Sequence, residues 1–183
     1  MVTSNGTKVT PPVGPRDHIQ GPPNASVTLV EYGDFECPYC GAAHLIVKQI
    51  QKLLGDDLRF VFRHFPLTQI HPHAEAAAEA SEAAGAQGRF WEMHDLLFEN
   101  QSTLDVSHLV GFAETLGLDS ERFIRELEGR VHLERVREDF MSGVRSGVNG
   151  TPAFFINGVR HDGSWDLQPM LEAIANARAS VAA

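Results

Sequence analysis

The residues of this sequence best suited to joint chemistry are its two cysteines, Cys37 and Cys40, which stand three residues apart in the run Glu-Cys-Pro-Tyr-Cys-Gly. A disulfide-stabilised scaffold would contain more cysteines, and a tetrahedral zinc site made of thiolates would usually need a second pair. On a helical turn, a spacing of three residues brings two sulfurs within disulfide distance. The motif therefore predicts a redox-active pair, with half of a metal site or two unreactive buried cysteines as the alternatives.

The surrounding sequence places this pair at a junction between a strand and a helix. An apolar run at residues 27–32 predicts a buried central strand, and from Tyr39 onward apolar residues recur with helical spacing. A thiolate at Cys37 would face the unpaired N–H groups at the start of this helix, which can lower a cysteine pKa from about 8.5 to about 3.5–7.5. Pro38 suits the first helical turn because it has no N–H to leave unbonded. We therefore expect Cys37 to be the exposed attacking thiol and Cys40 to be the buried resolving thiol.

The remaining hydrophobic pattern predicts the element order βαβ, then a helical block, then ββα. Asn157-Gly158 is typical of a tight hairpin turn, and Asp119-Ser120 is typical of a helix start. Residues 1–25 are rich in Pro, Gly, Ser, Thr and Asn, which predicts a flexible tail followed by an extended lead-in. The predicted strands lie at residues 27–32, 58–62, 153–156 and 159–161, and the predicted helices lie around residues 39–54, 74–86, 90–98, 109–116, 123–127, 133–144 and 167–174.

The segment Asp-Phe-Glu-Cys-Pro-Tyr-Cys-Gly at residues 34–41 resembles the active-site segment of the DsbA-like thiol–disulfide oxidoreductases of the thioredoxin superfamily. The resemblance implies an α/β thioredoxin fold, βαβ…ββα, with an α-helical domain inserted between the second and third strands. It covers roughly residues 18–178, with further matches in the same order at residues 65–67, 70–72, 87–95 and 147–152. The predicted domains are a flexible N-terminal tail at residues 1–17, a thioredoxin-like domain at 18–64 and 148–180, and an inserted helical domain at 65–147.

The resemblance also implies roles for residues outside the cysteine pair. Thr151-Pro152 resembles the cis-proline dipeptide of the family, which would present the backbone of Thr151 to an extended substrate; a trans proline that starts a strand is the alternative. Pro38 and Tyr39, between the cysteines, complete the expected substrate-binding set. Glu31 resembles the buried acid that relays protons for the resolving cysteine of this superfamily. Independently, a carboxylate on an apolar strand needs a partner or a proton. A solvated Glu31 at a sheet edge is the alternative.

The histidines of the sequence suggest a metal site, but neither an H-E-x-x-H nor an H-x-x-E-H pattern is present. We expect His71 and His94 to form hydrogen bonds within the helical block, and we expect Glu36 to be a surface residue. Disulfide exchange through a cysteine pair needs no organic cofactor and no metal, so neither is predicted.

The composition of the chain limits which classes of partner and which compartment can be expected. Acidic residues outnumber basic ones by 24 to 15, so the formal net charge is −9, which argues against nucleic-acid binding through clustered Lys and Arg. No run approaches the roughly 20 apolar residues that span a bilayer. The first residues also lack the apolar core of a secretory signal. The sequence as written is therefore expected in the cytoplasm, and the periplasm or another extracytoplasmic compartment is the alternative if a leader precedes it.

These observations predict an enzyme that exchanges disulfides with thiol- or disulfide-containing protein substrates and with an unidentified redox partner. Whether it acts as an oxidase, a reductase or an isomerase depends on its reduction potential, which the sequence leaves open. The alternatives are a non-catalytic thioredoxin-like docking module of a membrane assembly and a glutathione-linked isomerase or transferase. The intact cysteine pair and Thr151-Pro152 favour the first interpretation.

Overall fold

The strands of the protein form one mixed sheet with the order β1-β3-β2-β4-β5, in a computed structural model that describes residues 6–181. The order βαβ, helices, ββα is confirmed. The strands are β1 (His18–Gln20), β2 (Val27–Gly33), β3 (Leu58–His64), β4 (Ala153–Ile156) and β5 (Val159–His161). The helices are α1 (Pro38–Leu54), α2 (Ala74–Gly85), α3 (Phe90–Glu99), α4 (Val106–Thr115), α5 (Ser120–Glu128), α6 (Leu133–Arg145) and α7 (Leu167–Val181).

The chain divides into two compact units, which we call the sheet unit and the helical unit. The sheet unit comprises the described parts of residues 1–32, 42–63 and 141–183, and the helical unit comprises residues 33–41 and 64–140. The cysteine segment therefore groups with the helices that follow β3. The domain boundaries inferred from the sequence remain predictions.

The core of the sheet unit lies around β2, which pairs with β4 in an antiparallel ladder. Val27, Leu29 and Val30 have no exposed surface, so β2 is buried on both faces, as apolar residues at both odd and even positions of the strand predict. The turn between β4 and β5 has positive φ at both Asn157 (48°) and Gly158 (81°), the backbone that the Asn-Gly dipeptide favours in a tight hairpin.

The helical unit is built around α2, whose buried residues are mostly alanines. Ala77, Ala80, Ala83 and Ala84 have no exposed surface, and alanine at these positions lets α3 and α5 pack closely against α2. The predicted cap at Asp119 is present, because its carboxylate accepts the N–H of Arg122 at 2.9 Å.

The N-terminal segment, where the structure describes it, is part of the sheet unit and contacts its strands. The sequence predicts a flexible tail at residues 1–17, of which residues 1–5 lie outside the described residues. Val9 is buried and its N–H donates to the carbonyl of Gly158 at 2.9 Å. Strand β1 was not predicted; it is only three residues long and forms by antiparallel pairing with β3, so its own sequence carries little strand pattern.

Arg63 ties this N-terminal segment to the sheet unit from a buried position. Its guanidinium donates to both carboxylate oxygens of Asp17, at 2.7 and 3.0 Å, and to the hydroxyl of Tyr32 at 2.9 Å. The side chains of Arg63 and Asp17 are only 3% and 7% exposed. Removing one partner of a buried ion pair leaves the other charge uncompensated, which is strongly destabilising.

We expect Asp17→Ala to lower the free energy of unfolding by about 3–5 kcal/mol, because it leaves the Arg63 guanidinium buried without its carboxylate. Equilibrium unfolding in urea measures this. The matched control is Asp162→Ala, which breaks the exposed Arg160–Asp162 pair of the same unit and should cost less than about 1 kcal/mol. Equal losses for the two variants would contradict the anchoring role of Asp17.

Candidate active site

The cysteines lie at the start of α1, four and seven residues after the end of β2. The N–H of Cys37 donates to the carbonyl of Asp34 at 3.1 Å, and the N–H of Gly41 donates to the carbonyl of Cys37 at 3.1 Å, which begins the helix. The two cysteines are near each other. No acidic side chain lies in the first turn of α1, so nothing within that turn opposes the positive end of the helix dipole.

Both cysteines are buried, so the expectation that Cys37 is exposed is wrong. Cys37 is 3% exposed and Cys40 is fully buried, whereas Tyr39 between them is 66% exposed and Pro38 is also exposed. The physical reason is helical spacing: residues three apart share a helix face, so Cys37 turns inward together with Cys40. The outward positions on this turn belong to Pro38 and Tyr39.

Asp34 organises the segment from a completely buried position. Its Oδ1 accepts the N–H of Glu36 at 2.8 Å, its Oδ2 accepts the N–H of Leu67 at 2.8 Å, and Nδ1 of His71 lies 2.7 Å from Oδ2. His71 thus forms a hydrogen bond as expected, but its partner Asp34 precedes the cysteines and lies outside the helical block predicted from the sequence. The backbone N–H of Asp34 donates to the sulfur of Cys40 at 3.5 Å. Sequence reasoning assigned no role to Asp34.

Gln101, from the loop between α3 and α4, holds the cysteine segment at its backbone. Its Nε2 donates to the carbonyls of Phe35 and Cys37, each at 2.8 Å. Its amide lies so close to Gly41 that a Cβ at this glycine would overlap Oε1 and lie 2.7 Å from Cδ. Sequence reasoning missed Gln101, because a glutamine in a loop sixty-four residues from Cys37 carries no local signal.

Glu36 is half-buried, so its assignment to the surface is only partly right. Its Oε2 accepts the N–H of His73 at 2.6 Å, at the residue that precedes α2. A carboxylate at this helix start satisfies an N–H that has no partner within the helix. Glu36 therefore joins the cysteine segment to α2.

Two other groups of titratable residues lie in the helical unit. His94 forms its expected hydrogen bond within the unit, with its Nδ1 3.0 Å from a carboxylate oxygen of Asp95. His64, Glu82 and Asp139 are all buried and close enough together to hold a metal ion. Arg135 contacts both carboxylates of that cluster, so a guanidinium already supplies positive charge there.

The other predicted site residues belong to the sheet unit. Glu31 is 1% exposed and stands opposite Phe154 in the β2–β4 ladder, which rules out the solvated edge position. The Thr151–Pro152 peptide bond is cis. It leads directly into β4, whose first residue, Ala153, stands opposite Tyr32.

The comparisons with known proteins agree with this architecture. The chain belongs to the thioredoxin family, since the family model described as Thioredoxin matches residues 14–176. A thioredoxin-like oxidoreductase from Silicibacter pomeroyi DSS-3 superposes with a TM-score of 0.80 at 26% identity, covering 91% of this chain and 94% of that protein. The α-DsbA1 protein from Wolbachia pipientis superposes with a TM-score of 0.79 at 21% identity, covering 92% and 94%. The α/β thioredoxin fold is thereby confirmed, and the α-DsbA1 protein shares this fold.

The curated relatives are named as Na(+)/H(+) antiporters and not as oxidoreductases. The Na(+)/H(+) antiporter NhaA 1 from Salinispora arenicola is 52% identical over 169 residues, which cover 91% of this chain but 26% of the antiporter. The chain therefore spans about a quarter of the length of the curated relatives that it matches. Among residues 6–181, no helix combines the length and the apolar character that crossing a membrane requires.

The close contact between Gly41 and Gln101 predicts that substitutions at these two residues change the free energy of unfolding non-additively. We expect Gly41→Ala to push the Gln101 amide off the two carbonyls, so that Gly41→Ala and Gln101→Ala each lower the free energy of unfolding by about 1–2 kcal/mol. In the Gln101→Ala background, Gly41→Ala should be neutral or stabilising by up to about 1 kcal/mol, because the three nearest obstacles all belong to Gln101 and alanine favours the helix. A urea double-mutant cycle measures the coupling, and additive losses would contradict it.

Proposed function

We propose that this protein exchanges disulfides with protein substrates through Cys37 and Cys40. The observation that carries the proposal is the placement of both cysteines on one face of the first turn of α1, near each other, with a backbone N–H directed at the Cys40 sulfur. A cysteine at a helix start is favoured as a thiolate, which is the reactive form in exchange. The CPYC pair supplies both the attacking and the resolving sulfur.

In the oxidising direction, a substrate thiolate attacks the sulfur of Cys37 in the Cys37–Cys40 disulfide. That disulfide breaks, a mixed disulfide forms, and Cys40 leaves as a thiolate that takes up a proton. A second substrate thiolate attacks the substrate sulfur of the mixed disulfide and releases Cys37. Two electrons pass from the substrate thiols to the cysteine pair, and an unidentified disulfide-containing redox partner accepts them in turn. The reverse sequence reduces a substrate disulfide.

Other predicted site residues are proposed to assist. Pro38 and Tyr39 are exposed beside the buried cysteines, so they are available to contact a substrate, and Thr151 with Pro152 is proposed to present backbone groups to it. Glu31 is proposed to exchange the proton of Cys40. Its burial on the apolar strand β2 is the observation that supports this role.

The second candidate is a non-catalytic docking module within a longer membrane protein. It is favoured by the 52% identity to a segment of a Na(+)/H(+) antiporter. Such a module would need the fold but not the sulfurs. Under this alternative, a Cys37→Ser/Cys40→Ser variant would keep every function of the parent protein, whereas the exchange proposal requires the loss of redox activity. The compartment stays a prediction: the cytoplasm for the sequence as written, or, if a leader precedes it, an extracytoplasmic compartment, where thiols are oxidised and disulfide exchange is most useful.

We expect Cys37→Ser to abolish the catalysed reduction of insulin by dithiothreitol, because the attacking thiol is gone. Cys40→Ala should retain the first attack but accumulate mixed disulfides, since no second thiol displaces the substrate. Turbidity measures the first result and mass spectrometry the second. Alkylation at mildly acidic pH should label Cys37 before Cys40. Insulin reduction by Cys37→Ser at the wild-type rate would rule out the proposal.

We expect Glu31→Gln to slow the resolution step while leaving the first attack nearly unchanged, because only resolution requires Cys40 to lose its proton. Stopped-flow thiol exchange over roughly pH 6–8, around the neutral range where a proton-transfer group is most effective, separates the two phases. A resolution rate equal to that of the wild type across this range would assign Glu31 a structural role only.

A further inference from the structure

We propose that Asp34 is a positioning residue for the sulfur of Cys40 and that it acts through its own backbone N–H. The proposal rests on the exchange reaction proposed above. It adds a residue three positions before the Cys-Pro-Tyr-Cys motif to the groups that set the rate at which the enzyme releases its substrate.

The contacts of the Asp34 carboxylate hold it in one position. It is fully buried, and both of its oxygens have hydrogen-bond partners at 2.7–2.8 Å: the N–H of Glu36, the N–H of Leu67 and the imidazole of His71. A buried carboxylate is costly without such partners, so these contacts are made together. They hold Asp34 from two directions, since Glu36 lies in the cysteine segment and Leu67 follows β3.

The backbone of Asp34 lies beside the sulfur of Cys40. Its N–H donates to the Cys40 sulfur at 3.5 Å in a buried setting. A thiol sulfur is a weak acceptor, whereas a hydrogen bond to an ionised partner is roughly twice as strong as one between neutral groups. The donor therefore stabilises the thiolate of Cys40 more than its thiol. Since the thiolate is the form that attacks the mixed disulfide, a fixed Asp34 N–H accelerates resolution.

The charge of Asp34 acts in the opposite direction. A buried carboxylate near a thiolate disfavours that thiolate, although the imidazole of His71 reduces the effect when it carries a proton. Removing the Asp34 side chain can therefore change the rate of resolution in either direction, and the direction shows which of the two effects is larger. If positioning of the N–H dominates, resolution slows; if repulsion by the carboxylate dominates, resolution speeds up. The number of contacts that hold the carboxylate favours positioning.

The experiment uses the reduced protein and dithiobis(nitrobenzoate) in a stopped-flow spectrometer. The Cys37 thiolate attacks one sulfur of the reagent, the reagent disulfide breaks, and one thionitrobenzoate leaves. Cys40 then gives up its proton, by way of Glu31 as proposed above, and attacks the Cys37 sulfur, which forms the Cys37–Cys40 disulfide and expels the second thionitrobenzoate. Two protein thiols are oxidised and one reagent disulfide is reduced, so the first release reports Cys37 and the second reports Cys40.

We expect Asp34→Ala to slow the second release about tenfold, one decade per 1.36 kcal/mol, while the first release changes by less than about twofold. Asp34→Asn, which keeps one acceptor oxygen, should give an intermediate second release. If Asp34→Ala does not fold, Asp34→Asn alone carries the test. The matched control is Asp105→Ala, because Asp105 also pairs with a histidine and accepts a backbone N–H, but at the start of α4.

A second release that is unchanged or faster in the Asp34 variants overturns the proposal. Equal slowing of both releases also overturns it, since that pattern indicates a general loss of structure. The proposed exchange function fails in a different way: the wild-type protein would then release no thionitrobenzoate through Cys37, and alkylation of Cys37 would not change the reaction.

Discussion

A buried carboxylate must have hydrogen-bond partners, and this requirement at Asp34 sets the structure around the cysteines. Two backbone N–H groups and one imidazole converge on its two oxygens. Because one of these donors precedes Cys37 by a single residue and the others follow β3, the carboxylate joins two segments that are thirty residues apart in sequence. The cysteine segment is therefore held by a residue that performs no redox chemistry itself.

Gln101 and Glu36 hold the cysteine segment at further points. Gln101 accounts for the carbonyls of Phe35 and Cys37, and Glu36 accounts for an N–H at the start of α2. Side chains therefore pair backbone groups at the strand–helix junction and at the start of α2. The result is a fixed strand–helix junction in which Pro38 and Tyr39 are exposed while both sulfurs face inward.

Local sequence signals predicted the elements well because each element has its own chemical pattern. Apolar periodicity located β2 and α1 within a residue or two, Asn157-Gly158 located the last hairpin, and Asp119 located a helix start. Strand β1 was missed because three residues gain their strand conformation from pairing with β3. Propensity could not supply that information, since it resides in the partner strand.

The candidate site was predictable only in part, for a related reason. Cys37 and Cys40 are only three residues apart in sequence, so their spacing and the predicted strand–helix junction together indicated a redox pair. The prediction that Cys37 is exposed was wrong. It was based on the position of Cys37 at the start of the helix, whereas its burial follows from the helix face that it shares with Cys40. Gln101 and the contacts of Leu67 and His71 with Asp34 depend on tertiary contacts over more than thirty residues, for which a single sequence contains no local signal.

The most direct test of the account is a redox titration of the wild-type protein in glutathione buffers, followed by alkylation and mass spectrometry. The account predicts one two-electron transition, with a tenfold change in the equilibrium constant for every ~30 mV, in which Cys37 and Cys40 lose two hydrogens together and form an intramolecular disulfide. Cys37→Ser should abolish that transition. Oxidation that yields only glutathione adducts on separate cysteines, with no intramolecular disulfide at any buffer ratio, would contradict the account.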